Sequence, residues 1–233
     1  MHQPLVTVLN KNTHLFHPVV PLSQRQERLV ALDFSEANTQ LTKELLEDID
    51  LLEAWVQAQI KAHQAVFGIG GYAELRKVYD RSSLFSDPQG GEPRRLHLGV
   101  DIWGPAGTQI FAPLGGMVHS FAFNDRMGDY GATIVLLHQL DGIPFYTLYG
   151  HLSVRDLAIT EGQYINRGEV FAHFGVPAEN GCWPPHLHFQ IIADMQEHQG
   201  DYPGVCRFSE RDAYLSNCPD PELILQLQSY VVS

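Results

Sequence analysis

From Gly99 onward, the chain is a succession of short segments rich in β-branched and aromatic residues, separated by turns that contain glycine or proline. No stretch of this region repeats apolar residues at helical spacing, and the pattern favours strands. The expected strands are Gln109 to Ala112, Gly116 to Phe123, Thr133 to His138, Phe145 to Leu152, Glu169 to Phe174 and His186 to Ile192. The sequence therefore predicts a mainly β fold, an antiparallel β-sheet or sandwich.

The N-terminal part of the chain has a different pattern. Apolar residues recur every three or four positions from Leu41 to Ile60, which predicts an amphipathic helix capped by Asn38 or Thr39 and stopped by the glycines of 68–71. Prolines in the first 35 residues indicate an arm that lies over the body of the protein. We therefore expect an N-terminal arm and helix over residues 1–80 and a β-rich domain over residues 81–233. The C-terminal PDPELILQLQ predicts a short helix begun by Asp220 and Pro221.

Composition limits the partners of this chain. Its 233 residues are 44% hydrophobic, which is enough to bury a core without structural metals or disulfides. The net charge of −12 argues against nucleic acid and against an anionic membrane surface, since both are bound through lysine and arginine. No segment has the roughly 18 apolar residues of a membrane span.

Two further features predict a cytoplasmic location. Residues 1–25 contain no apolar run of the length found in signal-peptide cores. Three cysteines, Cys182, Cys206 and Cys218, form an odd set without CxxC spacing, which favours free thiols in a reducing compartment.

Three separated fragments contain the residue types of a hydrolytic zinc site: HLGVD at 97–101, YGHL at 149–152 and PHLHFQI at 185–191. A catalytic zinc takes three protein ligands and leaves the fourth position to water. His97, Asp101 and His188 are candidates for these ligands. His151 and His186 then remain for proton transfer and for stabilising negative charge.

The spacing of these residues sets conditions on the backbone. In a straight strand His97 and Asp101 would be about 13 Å apart, too far to share one ion, so a bend is expected at Gly99. His186 and His188 are two residues apart and project from the same face of a strand. One of them can therefore bind zinc while the other faces the substrate.

The order HxxxD, YxHL and HxH resembles the lysostaphin and LytM-type family of zinc endopeptidases. The resemblance covers roughly Arg94 to Ile192 and includes the stretches LGVDIWGPAGTQIFAPLGGMV, TIVLLHQLDGIPFYTLYGHL and ITEGQYINRGEVFAHFG. It implies a zinc metallopeptidase domain with one zinc ion on His97, Asp101 and His188. It also implies that His151 and His186 are catalytic, activating the water and stabilising the tetrahedral oxyanion. Which of the two has which role stays open.

The remaining histidines of the β-rich region receive other interpretations. His138 matches a recurrent family position and is expected to be a hydrogen-bonding support. His119 and His173 are expected to be packed or surface residues. A hydrogen-bonding partner for a zinc-bound imidazole is expected on general grounds, but no residue of the sequence is singled out for it.

Two departures from the family pattern concern the substrate. CWPP at 182–185 replaces a small Ser/Thr-Gly stretch, and Gln190 stands where Glu is common. Trp183 either lines a subsite or packs the loop. GIGGYAELRKVYDRSSLF and NGCWPPHLHFQ resemble metallopeptidase modules of intracellular multidomain proteins, where they lie beside kinase-like and aminotransferase-like modules.

Three functions follow as hypotheses. The first is a zinc endopeptidase that hydrolyses peptidoglycan stem or cross-bridge peptides. The second is a zinc hydrolase of a small cytosolic peptide or amide. The third is a catalytically silent binding module, which we rank last because all five site residues are present.

Overall fold

The computed structural model describes residues 3–22 and 27–232. Short and long strands make up most of its regular structure. The strands, in chain order, are β1 (Leu29–Leu32), β2 (Phe67–Gly70), β3 (Leu96–His97), β4 (Val100–Trp103), β5 (Gln109–Phe111), β6 (Gly116–Asn124), β7 (Gly131–Leu140), β8 (Ile143–Leu152), β9 (Tyr164–Ile165), β10 (Val170–His173), β11 (His186–Ile192), β12 (Val205–Cys206) and β13 (Val231–Val232).

Helices are short and lie mainly near the two ends of the chain. They are α1 (Gln3–Lys11), α2 (Lys43–Glu47), α3 (Ile49–Ala62), α4 (Arg211–Asn217) and α5 (Glu222–Leu225). Single 3₁₀ turns occur at Thr13–Leu15, Val78–Arg81, Ser83–Phe85, Val154–Leu157, Phe208–Glu210 and Leu227–Tyr230. The helix predicted at Asp220 and Pro221 is confirmed as α5, with Pro221 at its N-cap.

One nine-stranded sheet organises the described structure, in the order β13-β1-β2-β4-β11-β8-β7-β6-β9. From β2 to β9 every neighbouring pair is antiparallel, as the strand pattern predicts. β1 pairs in parallel with β2 and β13, which the pattern does not predict. The two-stranded sheet β5–β10 contributes Ile110 and Ala172 to the same core as Ile134 and Tyr149 of the large sheet. The mainly β fold is therefore confirmed, with a second small β layer.

The helix expected from Leu41 to Ile60 is wrong in its continuity and its cap. Thr42 caps α2 by accepting a hydrogen bond from Leu45, and Asp48 then caps α3 by accepting from the backbone of Asp50 and Leu51. A side-chain carboxylate that satisfies free N–H groups starts a new helix at this point. Of the glycines expected to stop the helix, Gly68 and Gly70 instead belong to β2, where Gly68 pairs with Trp103 and Gly70 pairs with Asp101.

The N-terminal arm is attached to the body by a helix that was not predicted. Leu5 and Leu9 of α1 are buried in the main core, and α1 packs against β8 and α5. β1 and β2 extend the large sheet beyond β4. The division into residues 1–80 and 81–233 stays a prediction. None of the helices in the described ranges combines the length and the apolar character that crossing a bilayer requires.

Strand alternation separates the core from the functional candidates. In β11, Leu187, Phe189 and Ile191 enter the main core. His186 and His188 project from the opposite face, because successive side chains of a strand alternate. Asp101 on the adjacent strand β4 pairs with His188, and this places both side chains together on that face.

Candidate metal centre and active site

His97, Asp101 and His188 form a compact cluster that is almost fully buried. His97 Nε2 lies 3.0 Å from His188 Nδ1 and 3.2 Å from Asp101 Oδ1, and His188 Nδ1 lies 3.1 Å from the same carboxylate oxygen. A tetrahedral zinc with bonds of about 2.0–2.1 Å holds its ligand atoms about 3.3 Å apart. The three atoms therefore have the spacing that such an ion requires.

Hydrogen bonds at the far side of each ring decide which nitrogen faces the cluster as an acceptor. His97 Nδ1 donates to the carbonyl of Gly71 at 2.8 Å, so its Nε2 is unprotonated in the neutral ring. His188 Nε2 donates to Gln190 Oε1 at 2.9 Å, so its Nδ1 is unprotonated. Two lone pairs and a carboxylate thus converge without a hydrogen between them. This donor set fits a cation.

Gln190 is the hydrogen-bonding partner of His188, a candidate ligand, and the sequence does not identify it. Its amide nitrogen donates to the carbonyl of Pro203 at 3.2 Å and to Cys218 Sγ at 3.2 Å. A carbonyl only accepts hydrogen bonds, so these contacts turn the amide oxygen towards His188. Gln190 therefore takes over the accepting function that a glutamate would provide at this position.

The bend expected at Gly99 is present, since the chain leaves β3 at His97 and re-enters the sheet in β4 at Val100. A Cβ atom added at Gly99 would lie 2.5 Å from His188 Cε1 and 2.7 Å from the carbonyl oxygen of Phe189. Glycine is therefore needed here because the backbone passes directly against a ligand ring. The break between the strands brings His97 and Asp101 to a common point.

A buried arginine from the N-terminal part holds the carboxylate of the cluster. Arg76 is 2% exposed, and its Nη1 donates to Asp101 Oδ2 at 2.5 Å. Its Nε donates to Glu74 Oε2 at 2.6 Å. Burial raises the pKa of Asp101, but His97 and the Arg76 guanidinium lower it, and the net pKa lies well below the usual range. Asp101 is therefore ionised and presents Oδ1 to the cluster.

His186 and His151 lie beside the cluster with similar hydrogen bonding. His186 Nδ1 donates to the carbonyl of Pro184 at 2.7 Å, and His151 Nδ1 donates to the carbonyl of Asn180 at 2.8 Å. Each neutral ring therefore has an unprotonated Nε2, and His186 Nε2 lies 3.9 Å from Asp101 Oδ1. The ring centroids are 4.1 Å apart. Burial lowers the pKa of His186 to about 4 and lowers that of His151 well below its usual value.

His151 reaches this face through an unusual backbone conformation. Phe145 and Tyr149 of β8 enter the main core, and regular alternation would send His151 there as well. The φ angle of His151 is 62°, in the left-handed region that residues with a Cβ rarely adopt. The ring is thereby directed to the side of His186. Such strain persists only where the surrounding structure imposes it, and the backbone N–H of His151 donates to the carbonyl of Tyr130 at 2.8 Å.

His138, His119 and His173 have hydrogen-bond partners outside the cluster. His138 donates from Nδ1 to the carbonyl of Gly115 at 3.0 Å, and its Nε2 lies 2.7 Å from Thr147 Oγ1. This is the hydrogen-bonding support that the sequence predicts. His119 is hydrogen-bonded to Ser120 at 2.8 Å, and His173 lies 3.1 Å from Asp156 Oδ1.

A cavity of about 260 Å³ opens onto the two candidate catalytic histidines. The rings of Trp103 and His186 are stacked with centroids 3.9 Å apart. Trp183 is 5% exposed, lines the cavity and directs an edge towards His151 at 6.2 Å. It therefore both lines the cavity and packs the loop. Phe34 and Tyr79, from residues 1–80, form part of the same wall.

A buried His–Asp–His cluster on a sheet, with further histidines beside it, is typical of metal-dependent hydrolases. Residues 95–200 match the model of peptidase family M23. This part of the chain is therefore similar to a family of peptidases.

Similar curated proteins are peptidases from bacteria. The chain is 28% identical over 125 residues to an L-Ala–D-Glu endopeptidase of Bacillus subtilis, a match that covers 52% of this chain and 36% of that protein. It is 35% identical over 102 residues to the DD-carboxypeptidase/endopeptidase Mpg of Neisseria meningitidis serogroup B, covering 44% of this chain and 21% of that protein. The chain thus spans about a third or less of the length of these relatives.

Solved structures with a similar arrangement include the lysostaphin catalytic domain of Staphylococcus simulans and a zinc-containing peptidase of Vibrio cholerae. The lysostaphin match has a TM-score of 0.38 and 24% identity, covering 57% of this chain and 80% of that domain. The Vibrio cholerae match has a TM-score of 0.36 and 26% identity, covering 46% of this chain and 29% of the other.

Proposed function

We propose that this protein is a zinc-dependent metallopeptidase in which His97, Asp101 and His188 hold the metal and His151 and His186 are the catalytic histidines. The convergence of two unprotonated ring nitrogens and one carboxylate oxygen within 3.0–3.2 Å of one another carries the proposal. The match of residues 95–200 to peptidase family M23 supports the reaction class.

Zinc bound to these residues supplies Lewis acidity, which polarises a peptide carbonyl and acidifies water. The protein supplies the groups that move protons. Because Nδ1 of His151 and of His186 donates to a backbone carbonyl, each Nε2 is available to accept a proton from water. The protonated ring can then donate to the oxyanion or to the leaving amine.

The backbone carbonyls of Asn180 and Pro184 fix the orientation of these two rings before substrate binds. Stacking on Trp103 fixes the plane of the His186 ring. The left-handed backbone conformation of His151 fixes the direction of the His151 side chain. Ordered side chains reduce the reorganisation needed during reaction, which is the main benefit of a preorganised site. We assign no separate base and acid roles to His151 and His186, because their hydrogen bonding is equivalent.

Peptide bonds are the proposed target, and two substrate classes are proposed for them. The relatives are named for L-Ala–D-Glu and DD bonds, which supports peptidoglycan-type peptides. The small cavity walled by Phe34 and Tyr79 favours a short peptide or amide, and a cytoplasmic location would agree with that alternative. A silent binding module is the weakest candidate, because the ligand set and both additional histidines are assembled together.

Mass spectrometry of reaction products tests this function. Zinc-loaded protein is incubated with purified peptidoglycan and, separately, with a mixed peptide library, and the cut sites are read from new masses. His186→Ala serves as the inactive variant, and His14→Ala, at an exposed histidine far along the chain from the site residues, serves as the matched control. Products from the wild type and His14→Ala alone support a peptidase. Absence of products in both pools, with one zinc bound, contradicts the proposed reaction.

A further inference from the structure

The cavity beside His151 and His186 is also lined by four charged side chains, Arg94, Arg126, Asp129 and Asp201, and we call this part of its lining the charged end. With about 260 Å³ the cavity lies at the small end of ligand pockets, which are typically about 300–1,000 Å³. The whole cavity therefore accommodates a compact ligand rather than a long chain.

The segment after residue 80 is hydrogen-bonded to loops that contribute to the cavity lining. Ser82 Oγ donates to the carbonyl of Met127 at 2.6 Å, which joins this segment to the loop after β6. The backbone N–H of Gly128 donates to the carbonyl of Gly181 at 2.8 Å, which joins the same loop to the loop before β11. These bonds connect three segments, and Leu84, Gly128 and Trp183 in or beside them line the cavity.

The four charged side chains at this end make no ion pair within the described residues. This distinguishes them from the arginines that do form ion pairs, which are Arg76, Arg95, Arg155, Arg207 and Arg211. The cavity is therefore lined by two positive and two negative groups that no described side chain neutralises in an ion pair. Their hydrogen-bond donors and acceptors remain available to a charged ligand.

The arginines are placed to offer hydrogen-bond donors to a ligand. One amino group of Arg94 donates to the carbonyl of Leu84, and its guanidinium lies 5.4 Å from the centre of the Phe85 ring. These two contacts hold the guanidinium while leaving other N–H groups available, since an arginine carries five. Arg126 is exposed at the mouth of the cavity. A guanidinium matches the geometry of a carboxylate.

The aspartates provide the complementary charge. Asp129 Oδ1 accepts a hydrogen bond from the backbone of Tyr130 at 2.8 Å, which orients its carboxylate. Burial raises the pKa of Asp129 above its usual value and Asp201 adds to this, although the Tyr130 hydrogen bond, Arg126 and Arg94 lower it. The other three charged side chains therefore act electrostatically on Asp129.

We propose that this end of the cavity binds an α-amino acid head group, in which one carbon carries both a free ammonium and a free carboxylate. Arg94 and Arg126 would bind the carboxylate, and Asp129 and Asp201 would bind the ammonium. The proposal rests on the proposed function and names its substrate class. The cleaved amide is one that hangs from the side chain of an amino acid whose α-amino and α-carboxyl groups are free.

Binding of small probes to the zinc-loaded protein tests the proposal separately from catalysis. The probes are γ-glutamyl methylamide and Nε-acetyl-lysine, each compared with its α-N-acetyl and its α-carboxamide form by calorimetry. Mass spectrometry determines whether the amide of each probe stays intact. At least one free probe is expected to bind about tenfold or more tightly than both capped forms, because each capped form loses one charge-assisted contact.

Variants assign the effect to the named charges. Arg126→Met and Asp201→Asn alter side chains for which the described structure records no hydrogen bond or ion pair, so the fold is expected to persist. Arg126→Met should abolish the preference for the free carboxylate, and Asp201→Asn the preference for the free ammonium. Arg167→Met, at an exposed arginine bonded to the carbonyl of Leu15, is the matched control.

Two results would overturn the proposal. One is equal affinity for free and capped probes, or no binding of either free probe at millimolar concentration. The other is a preference that both variants retain. The proposed function would fail on a different result: protein that contains one zinc would leave the peptide library uncut.

Discussion

Arg76 donates to the carboxylate oxygen of Asp101 that faces away from the two ligand histidines, at 2.5 Å. Both side chains are almost fully buried. Asp101 is therefore fixed with one oxygen bound to a guanidinium and the other directed at His97 and His188. Breaking such a pair leaves an uncompensated buried charge.

Arg76→Met should weaken zinc binding, because Asp101 loses the contact that orients it, and Asp101 and Glu74 lose the cation that pairs with both. Loss of an outer partner of a metal ligand typically costs about 10–100-fold in affinity. Zinc competition against a chelator of known affinity measures the change. Arg95→Met, which removes a partly exposed arginine paired with Asp80 and Glu36, should bind zinc as the wild type does. Equal affinities for the two variants would argue against a positioning role.

Gln190 is expected to increase the zinc affinity of the site through its amide oxygen, which accepts a hydrogen bond from His188. Gln190→Leu removes the acceptor for His188 Nε2–H, and zinc affinity is expected to fall about 10–100-fold. Gln190→Glu keeps an acceptor and should restore a large part of the lost affinity. The same chelator competition gives both values. If the leucine and glutamate variants were equally impaired, the hydrogen bond to His188 would not explain the effect.

The left-handed backbone at His151 predicts an inverted order of stability. Glycine usually destabilises a strand relative to alanine, but at φ 62° alanine carries the Cβ penalty of about 1–2 kcal/mol and glycine does not. His151→Gly should therefore be more stable than His151→Ala by about 1 kcal/mol. Urea unfolding of the two proteins measures the difference, and a more stable alanine variant would contradict the conformation. Both variants are expected to bind zinc and to lack activity.

His138 predicts a pH dependence of stability in the metal-free protein. Burial lowers its pKa to about 4, against its hydrogen bond to the carbonyl of Gly115, which raises the pKa. The unfolded chain, with a histidine pKa of about 6.5, binds the proton first as the pH falls. The stabilising contribution is thus complete above pH 6.5 and is lost between pH 6.5 and about 4, by up to about 3 kcal/mol.

His138→Gln removes this titrating group and should reduce the loss of unfolding free energy between pH 7 and 5. Urea unfolding at the two pH values compares the variant with the wild type. Other buried histidines act in the same direction in both proteins, so the difference between them isolates His138. Identical losses would mean that His138 titrates alike in the folded and unfolded chains.

Much of the β architecture could be predicted from sequence because its signals are local. Alternating side chains and glycine-bearing turns locate β6, β7, β8 and β11 to within a few residues. The pairing of His186 and His188 on one face follows from the two-residue period of a strand. Their place opposite the main core follows from the apolar residues between them.

What the sequence could not predict depends on contacts between distant segments. The predicted helix is divided into two because the Asp48 side chain accepts hydrogen bonds from backbone N–H groups and so caps a second helix. The helical spacing of apolar residues continues across this break and does not reveal it. Arg76 is 25 residues from Asp101, and no spacing rule links a lone arginine to a metal ligand. Gln190 is visible as a departure from a family pattern, but only the amide contacts with Pro203 and Cys218 reveal which of its atoms faces His188.

The division between ligand and catalyst is the central claim, and zinc content of two variants tests it most directly. His188→Ala and His186→Ala change histidines two residues apart on the same strand face, so they are matched in burial and location. Elemental analysis after dialysis should find about one zinc per chain in the wild type and in His186→Ala, and little in His188→Ala. Neither variant should cleave a peptide that the wild type cleaves. Equal loss of zinc in both variants, or retention in both, would contradict the assignment.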